Sequence, residues 1–353
     1  MAGARVRPAD PSDRAAWDAF VAGRPEGDLL QSWTWGDCSA LAGEPPARIV
    51  AQGPNGALRG VAQALVRPAG IRRSVAYVAH GPVWERDAPD GSELLGALLA
   101  GLHELAAEHR ALVVKLDPRA GSDAAAVASQ LERFGLRRGN DLQAPTTRIV
   151  DLAAGEEELM ASWHADARRL SRRAGREAVE VQVDRTGDPA AIATLHRLLE
   201  VTAGRAEFRV RSLAFLERLA AGFAEHDGWY LGIARFEGTP FAAMAMPRLG
   251  DRAYYLYGAS LREAAYKHKY GPYAVMATLQ RRLAADGVHE LDMWGVVEAD
   301  DPDADPAWQG FSAFKRTFGG TPLRHPGLFD LVTDPFWYRL RELRQSALGL
   351  LGR

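Results

Sequence analysis

"EGTPFAAMAMPRLGDRAYYLYGAS", residues 237–260, is the stretch that decides the fold. Small and apolar residues on both sides of a Gly250-Asp251 turn predict two strands joined as a hairpin, the second of them aromatic. An earlier stretch has the same features, because "GALRGVAQALVRP" at 56–68 is followed by "SVAYVAHGP" at 74–82. In each copy the aromatic strand ends in a His-Gly or Tyr-Gly pair. The chain therefore indicates an internal duplication.

The segments that follow each hairpin are also repeated. A helix at 91–111 precedes "LVVKLDP" (112–118), and a helix at 271–287 precedes "VHELDMWGV" (288–296). Antiparallel strands, a helix and a further strand form the order of an N-acyltransferase unit of the GNAT type. We therefore expect an α/β (α+β) protein with two tandem GNAT-like acyltransferase domains, whose mixed, mostly antiparallel sheets are flanked by helices.

Composition narrows the classes of partner and location. The 353 residues carry a formal net charge of −2, so an anionic partner must be bound by local basic patches. The single cysteine, Cys38, excludes a disulfide framework, and no metal site is expected. The N-terminal segment lacks the apolar core of a signal peptide, and no stretch has the apolar length of a transmembrane helix. A cytoplasmic location is expected.

A phosphate-binding loop is missing where coenzyme A would need one. GNAT enzymes that use acyl-coenzyme A carry a glycine-rich loop before the long helix, where backbone N–H groups bind the pyrophosphate. The corresponding segments here are "DAPDGSELL" (87–95) and "YKHKYGPYAV" (266–275). Coenzyme A is therefore disfavoured as the donor, and no cofactor is expected.

Eight segments spread over nearly the whole chain carry a resemblance to a known family. Typical examples are "LLQSWTWGD" (29–37) and "FKRTFGGTPLRHPGLFDLVTDPFWYRL" (314–340), and the others occupy 77–84, 113–118, 142–181, 202–212, 254–260 and 270–296. By their order and spacing the chain resembles the Fem-type (FemABX) aminoacyltransferases, which build peptidoglycan cross-bridges from aminoacyl-tRNA. No segment is long enough for the coiled-coil arm that some members carry, so the short form is the one it resembles.

The resemblance implies an architecture and a reaction. It implies one GNAT-like domain at 1–148, a second at 149–318, and a C-terminal segment, 319–353, that returns to the first domain. It also implies that an amine of a lipid-linked or UDP-linked peptidoglycan precursor attacks the ester of an aminoacyl-tRNA, the co-substrate, carrying glycine, alanine or serine. Neither a metal nor a cofactor is needed, because the ester is already activated. A monomer is expected.

The motif "FSAFKRTFGG" (311–320) contains the first candidate for the reaction centre. From spacing alone, Lys315 and Arg316 form either a solvated surface pair or a cation held between aromatic walls. The family motif FK(K/R)xF implies that Lys315 is catalytic, at the acceptor end of the tRNA. Phe314 and Arg316 are then expected to bind tRNA, and Phe314 and Phe318 either wall the site or pack in the core.

The other catalytic and precursor-binding candidates are spread over three segments. Asp117 ends a buried strand, where a carboxylate either accepts a proton from the attacking amine or caps the next turn. The family's Arg-Ser-x-x-Tyr pattern implies precursor contacts for Arg211, for Phe215 in the tyrosine position, and for the nearby Arg205. Tyr255 and Tyr257, two residues apart, are expected on one side of a strand facing either the precursor or the core.

Basic clusters supply the candidates for tRNA contact. "RRLSRRAGR" (168–176) is a predicted helix on which a spacing of three and four places several arginines on one face, either solvated or bound to tRNA phosphates. These arginines are Arg169, Arg172, Arg173 and Arg176. Lys267 and Lys269 precede a helix start and are expected to bind phosphate there.

The C-terminal helix and the rival functions complete the expectations. Residues 334–353 predict a helix that packs on the first domain or, with its basic aromatic face, lies peripherally on the inner membrane leaflet. A coenzyme-A-dependent N-acyltransferase is the rival enzyme. A catalytically silent RNA- or glycan-binding protein with the same fold is the rival from another class.

Overall fold

The chain divides into two compact units. In this computed structural model, residues 4–70, 72–206, 209–298 and 306–351 are described, without the side chains of 205–206, 306–307 and 344–351. Unit 1 comprises residues 1–145 and 324–353, and unit 2 comprises residues 146–323. The first boundary therefore falls at 145/146 rather than 148/149, and the return to unit 1 falls at 323/324 rather than 318/319.

Unit 1 is built on one sheet. Its strands are β1 (Arg5–Pro8), β2 (Pro46–Gln52), β3 (Leu58–Pro68), β4 (Ser74–Val78), β5 (Val83–Trp84), β6 (Ala111–Leu116), β7 (Arg137–Arg138) and β17 (Phe329–Val332). They follow the order β1-β2-β3-β4-β6-β17-β7, with β5 also paired to β3. Only β4 and β6 run parallel; every other pair in the sheet is antiparallel.

The helices of unit 1 cover this sheet. They are α1 (Arg14–Ala22), α2 (Trp33–Leu41), α3 (Gly91–Glu108), α4 (Ala124–Arg133) and α11 (Pro335–Leu351). Leucines of α3 at positions 94, 95, 98, 102 and 105 are buried against the sheet, as expected for an amphipathic helix. Tyr338 of α11 packs against Val75, Leu112 and Val113. Within the described part of the chain, no helix is both long and apolar enough to span a bilayer.

The described residues of unit 2 form two sheets and six α-helices. Its strands are β8 (Thr146–Asp151), β9 (Val179–Asp184), β10 (Leu231–Phe236), β11 (Thr239–Ala245), β12 (Arg248–Leu249), β13 (Arg252–Tyr254), β14 (Tyr257–Ser260), β15 (Glu290–Asp292) and β16 (Thr321–Arg324). Its helices are α5 (Glu156–Ser162), α6 (Ala165–Arg176), α7 (Pro189–Ala206), α8 (Leu213–Ala224), α9 (Gly271–Ala285) and α10 (Pro306–Arg316).

The two sheets of unit 2 separate at the aromatic strand. One sheet has the order β14-β11-β10-β9, and the other has the order β12-β13-β15-β8-β16. The chain leaves β13 after Tyr254 and enters β14 of the other sheet at Tyr257. The predicted continuous strand is therefore two strands. The predicted mixed, mostly antiparallel sheets flanked by helices are confirmed. In unit 2 the parallel pair β13–β15 ends at Asp292, and in unit 1 Asp117 directly follows the parallel pair β4–β6.

Candidate active site

Lys315 is buried at the end of α10 in unit 2. It is 6% exposed, and its Nζ donates a hydrogen bond to the carbonyl oxygen of Gly295 at 2.8 Å. The ammonium lies 5.3 Å from the ring centre of Tyr255 and 4.9 Å from that of Phe311. Of the two alternatives that spacing left open, the structure therefore shows a held cation with aromatic walls, not a solvated surface pair.

The surroundings of Lys315 lower the pKa of its ammonium group. Burial lowers the pKa of Lys315 to about 7, against the raising effect of Asp292. Asp292 is itself buried at the end of β15, where it accepts hydrogen bonds from the Thr147 hydroxyl and from the Trp294 backbone N–H. A lysine with a pKa near neutrality can both donate and accept a proton at working pH. The sequence analysis did not predict Asp292 or Thr147 as site residues. Asp292 could have been identified from its position at the end of the predicted strand "VHELD" (288–292).

The aromatic residues beside Lys315 differ from those predicted. Phe314 packs on Phe318 at 5.4 Å and on Tyr273 at 5.1 Å, and Phe318 is completely buried. Residues 314 and 318 share one face of the chain because they are four apart, whereas Lys315 projects about 100° away, beside residue 311. Phe314 and Phe318 thus belong to the core, which was the second predicted alternative, and the wall residue from this segment is Phe311.

The tyrosine pair is separated by the break between the sheets. Because the chain changes sheets between residues 254 and 257, the two-residue alternation does not connect Tyr255 with Tyr257 and no longer supports the prediction that both face one side. Tyr255 lies beside Lys315, and burial raises the pKa of its hydroxyl. A Cβ at Gly258 would overlap that hydroxyl, so glycine makes the space for it. Tyr257 is half-buried in β14.

Arg211 stands just before α8, also in unit 2. Its guanidinium lies 5.0 Å from the ring centre of Phe215. Ser212 is the N-cap of α8, and its hydroxyl accepts a hydrogen bond from the Phe215 N–H at 3.3 Å. Phe215 is completely buried, so the predicted direct contact of Phe215 with a precursor is wrong; its ring supports Arg211 instead. The side chain of Arg205 lies outside the described residues.

The predicted basic helix is α6, and its arginines divide into two groups. Arg172 and Arg176 are exposed, and so is Arg169, which pairs with Asp166 at 2.7 Å. Arg173 is half-buried, pairing with Glu177 at 3.5 Å and lying over the Tyr270 ring. The outer group has the accessibility that binding to a polyanion requires.

The two lysines before α9 also differ from each other. Lys267 is exposed. Lys269 instead has its Nζ 3.4 Å from the Glu177 carboxylate and 3.8 Å from the ring centre of Phe236. Lys269 is therefore engaged inside unit 2, contrary to the prediction that it binds phosphate at the helix start.

Arg316 lines a groove of about 610 Å³ on unit 2. Its guanidinium donates to the Val297 carbonyl, and Arg148 and His164 line the same groove. Gly319 and Gly320 both have φ of 82°, and a Cβ on Gly320 would meet the Ile149 backbone. The glycine pair after "FKRTF" is thus required by a close approach of two backbone segments.

Asp117 occupies a buried polar cluster in unit 1. One carboxylate oxygen accepts a hydrogen bond from the Tyr77 hydroxyl at 2.6 Å, and the other accepts one from the His80 N–H at 2.7 Å. Burial raises the pKa of Asp117 to about 6, although His80 and the Tyr77 hydrogen bond lower it. His80 has φ of 49° and precedes the cis Gly81-Pro82 bond. Asp117 thus fixes the earlier turn at His80, not the turn that follows it as the second predicted role had it, and the proton-acceptor role stays a prediction.

A second carboxylate extends this cluster and was not among the predicted residues. Asp28 is fully buried, with its Oδ2 3.0 Å from His80 Nδ1 and 3.7 Å from Arg119 Nε. Although burial opposes it, His80 and Arg119 hold the pKa of Asp28 below its usual range. The His325 ring lies 5.2 Å from that of His80. These residues are 28, 80, 119 and 325 in sequence, so no local motif could connect them.

Asp117→Asn tests the positioning role through both stability and rate. The native pKa of about 6 exceeds the usual 3.8, so the stability from Asp117 is full below pH 3.8 and is lost as pH rises through 6. As pH rises from 4 to 7, the unfolding free energy of the variant minus that of wild type should therefore increase by roughly 2–3 kcal/mol. Transfer should fall less than about tenfold. A loss of about a hundredfold or more would instead identify Asp117 as the proton acceptor.

Comparison with known proteins fixes the family. The sequence pattern of the FemAB family matches residues 13–239, which is more than half of the chain. The chain belongs to the FemAB family. An acetyltransferase (GNAT) domain pattern also matches residues 161–319. This chain is therefore an acyltransferase with the predicted GNAT-like fold.

Individual relatives extend over nearly the whole chain. The lipid II:glycine glycyltransferase of Staphylococcus aureus (strain bovine RF122 / ET3-1) is 23% identical over 401 residues, covering 92% of this chain and 93% of the relative. The crystal structure of FemX superposes with a TM-score of 0.81 at 21% identity, covering 95% of this chain and 99% of FemX. A tandem GNAT protein from the clavulanic acid biosynthesis pathway has a TM-score of 0.56 at 12% identity, covering 94% and 98%. The fold is thus shared with both.

Proposed function

We propose that this chain transfers an amino acid from aminoacyl-tRNA to a stem-peptide amine of a peptidoglycan precursor, for cross-bridge formation in the cytoplasm. The match to lipid II:glycine glycyltransferases over 92% of the chain supports the precursor as acceptor. The single observation that carries the reaction is the buried ammonium of Lys315, held by Gly295 beside Tyr255 and Phe311. Glycine, alanine and serine are the proposed amino acids.

The reaction forms one amide and breaks one ester. The acceptor nitrogen attacks the ester carbonyl, the new C–N bond forms, and the C–O bond to the tRNA ribose breaks. One proton leaves the nitrogen and one reaches the ribose oxygen, so the step is balanced without a metal or cofactor. Lys315 is assigned the stabilisation of the oxyanion and, with its pKa of about 7, donation of a proton to the leaving oxygen.

Binding roles follow from exposure and charge. Arg211, held over Phe215, is assigned to the precursor's phosphate oxygens, which the fork of a guanidinium matches. Tyr255 forms one wall of the reaction centre. The exposed arginines of α6 (Arg169, Arg172 and Arg176) and Lys267 are assigned to the tRNA backbone, and Arg316 to phosphate in its groove.

Arg172→Gln combined with Arg176→Gln should weaken tRNA binding through electrostatics alone. Each lost phosphate contact lowers the slope of log affinity against log salt by about 1, so the double variant should lower it by about 2. Filter binding of charged tRNA at several salt concentrations measures this slope. The control, Arg133→Gln with Arg137→Gln, removes the same charge from exposed positions in unit 1. Equal slopes for both double variants would remove α6 from the tRNA site.

A transfer assay tests the proposed function directly. The purified protein is incubated with tRNA charged separately with radiolabelled glycine, alanine or serine, and with a lipid-linked or a UDP-linked precursor. We expect label on one precursor, and RNase treatment of the donor should abolish it. No label with any pair, together with acyl transfer from acetyl-coenzyme A, would show that the coenzyme-A-dependent alternative is correct. No transfer from either donor would favour a silent binding protein.

A further inference from the structure

The C-terminal helix α11 carries an exposed apolar face in unit 1. Phe336, Trp337, Leu340 and Leu343 are 69%, 41%, 47% and 68% exposed. On a helix these positions lie together, and Tyr338, which packs on unit 1, lies on the opposite side. Only nine large apolar side chains are exposed among the described residues, and four of them are on this face. Such concentration marks an interaction surface rather than scattered surface residues.

Arginines surround this apolar face. Arg339 is exposed on α11 and Arg341 is half-buried. Arg73 lies 5.4 Å from the ring centre of Trp337 and 3.2 Å from Asp334. The start of α11 is anchored on unit 1, because the Asp334 N–H donates a hydrogen bond to the Leu112 carbonyl. The acids on the described part of this segment are Asp334, which Arg73 pairs with, and exposed Glu342.

We propose that α11 lies on an anionic lipid bilayer, with Phe336, Trp337, Leu340 and Leu343 in the interface and the surrounding arginines on the lipid phosphates. An apolar face with a cationic border is the pattern of an interfacial helix. Cations near such a surface are attracted to its anionic headgroups, and tryptophan favours the headgroup level. A second copy of the chain fits poorly, because its cationic border would face the same charge.

Vesicle flotation of the full chain tests this surface without any substrate. Wild type should bind vesicles containing phosphatidylglycerol and bind pure phosphatidylcholine vesicles at least about tenfold more weakly, with salt weakening the binding. Phe336→Glu with Leu343→Glu should reduce partition to phosphatidylglycerol vesicles at least about tenfold. The control, Leu41→Glu, changes a leucine that is 56% exposed on α2 and should bind as wild type does.

Two outcomes would overturn the proposal. Equal vesicle binding by wild type and the double variant would show that α11 does not contact lipid. A concentration-dependent dimer that only the double variant abolishes, with no vesicle binding, would show that the face contacts a second copy. Thermal unfolding of each variant checks that the fold is intact. Flotation needs neither tRNA nor precursor, so its failure is distinguishable from failure of the proposed transfer reaction, which is measurable with a water-soluble UDP-linked acceptor.

Discussion

Lys315→Met slows aminoacyl transfer by about 10²- to 10³-fold and at the same time raises the stability of the protein. The rate falls because the variant has neither a cation for the oxyanion nor a proton for the leaving ribose oxygen. Affinity for the precursor should change little, since the cation is assigned to the transition state. Single-turnover transfer at saturating precursor measures the loss in rate separately from binding.

The gain in stability has a defined pH dependence. Folding lowers the pKa of Lys315 from 10.5 to about 7, so the stability from this group is full above pH 10.5 and is lost as pH falls through 7. Methionine has no ionisable group, so the variant does not lose this stability at low pH. It does leave the Gly295 carbonyl without its hydrogen bond from Nζ. At pH 6 the unfolding free energy should therefore exceed that of wild type by roughly 2–4 kcal/mol, and the difference should shrink towards pH 10.5.

A matched control separates this effect from a general loss of charge. Arg281→Met removes a cation of unit 2 that is half exposed and pairs with Glu156 at 2.7 Å. An exposed pair contributes only about 0–1 kcal/mol, so both rate and stability should stay near wild type. Unchanged transfer by Lys315→Met would remove Lys315 from the mechanism. If Lys315→Met has a lower unfolding free energy than wild type at pH 6, then burial of the ammonium does not destabilise the fold.

Arg211→Ala should raise the KM for the precursor by about 10- to 100-fold while changing kcat less than about threefold. A guanidinium bound to phosphate oxygens makes charge-assisted hydrogen bonds of about 1.5–3 kcal/mol, and the contact is present before and during the reaction. Fixed charged tRNA and varied precursor give both constants. The KM of Arg211→Lys should lie between those of wild type and Arg211→Ala, because lysine keeps the charge but lacks the planar guanidinium fork.

The neighbouring Arg209 provides the control for this prediction. It is exposed two residues earlier in the same segment, and Arg209→Ala removes an equal charge. Its KM should remain within about threefold of wild type if position rather than net charge matters. If both alanine variants raise KM equally, the segment acts only as a basic patch, and the assignment of Arg211 to the precursor fails.

The sequence predicted the architecture well because hairpin, helix and strand signals are local and occur twice. A short motif singled out Lys315, which the structure shows buried beside aromatic rings, and its catalytic role stays a prediction. The sequence misassigned Phe314 because helix rotation decides which way that ring faces. It gave no basis for orienting Tyr257, because a strand pattern does not reveal where one sheet becomes two. It missed Asp28 and His325 because these residues are distant from His80 in sequence and lie next to it only in the folded protein.

Strand β17 imposes an order on how the molecule forms at the ribosome. Residues 329–332 pair with both β6 and β7, so the sheet of unit 1 is incomplete until these residues have been synthesised. Unit 2 is complete at residue 323 and can fold earlier, although unit 1 begins the chain. Until then, the β6 edge at Val113 and Val114 has no partner strand and can form non-native strand pairs. A chaperone bound to the nascent chain would prevent such pairing.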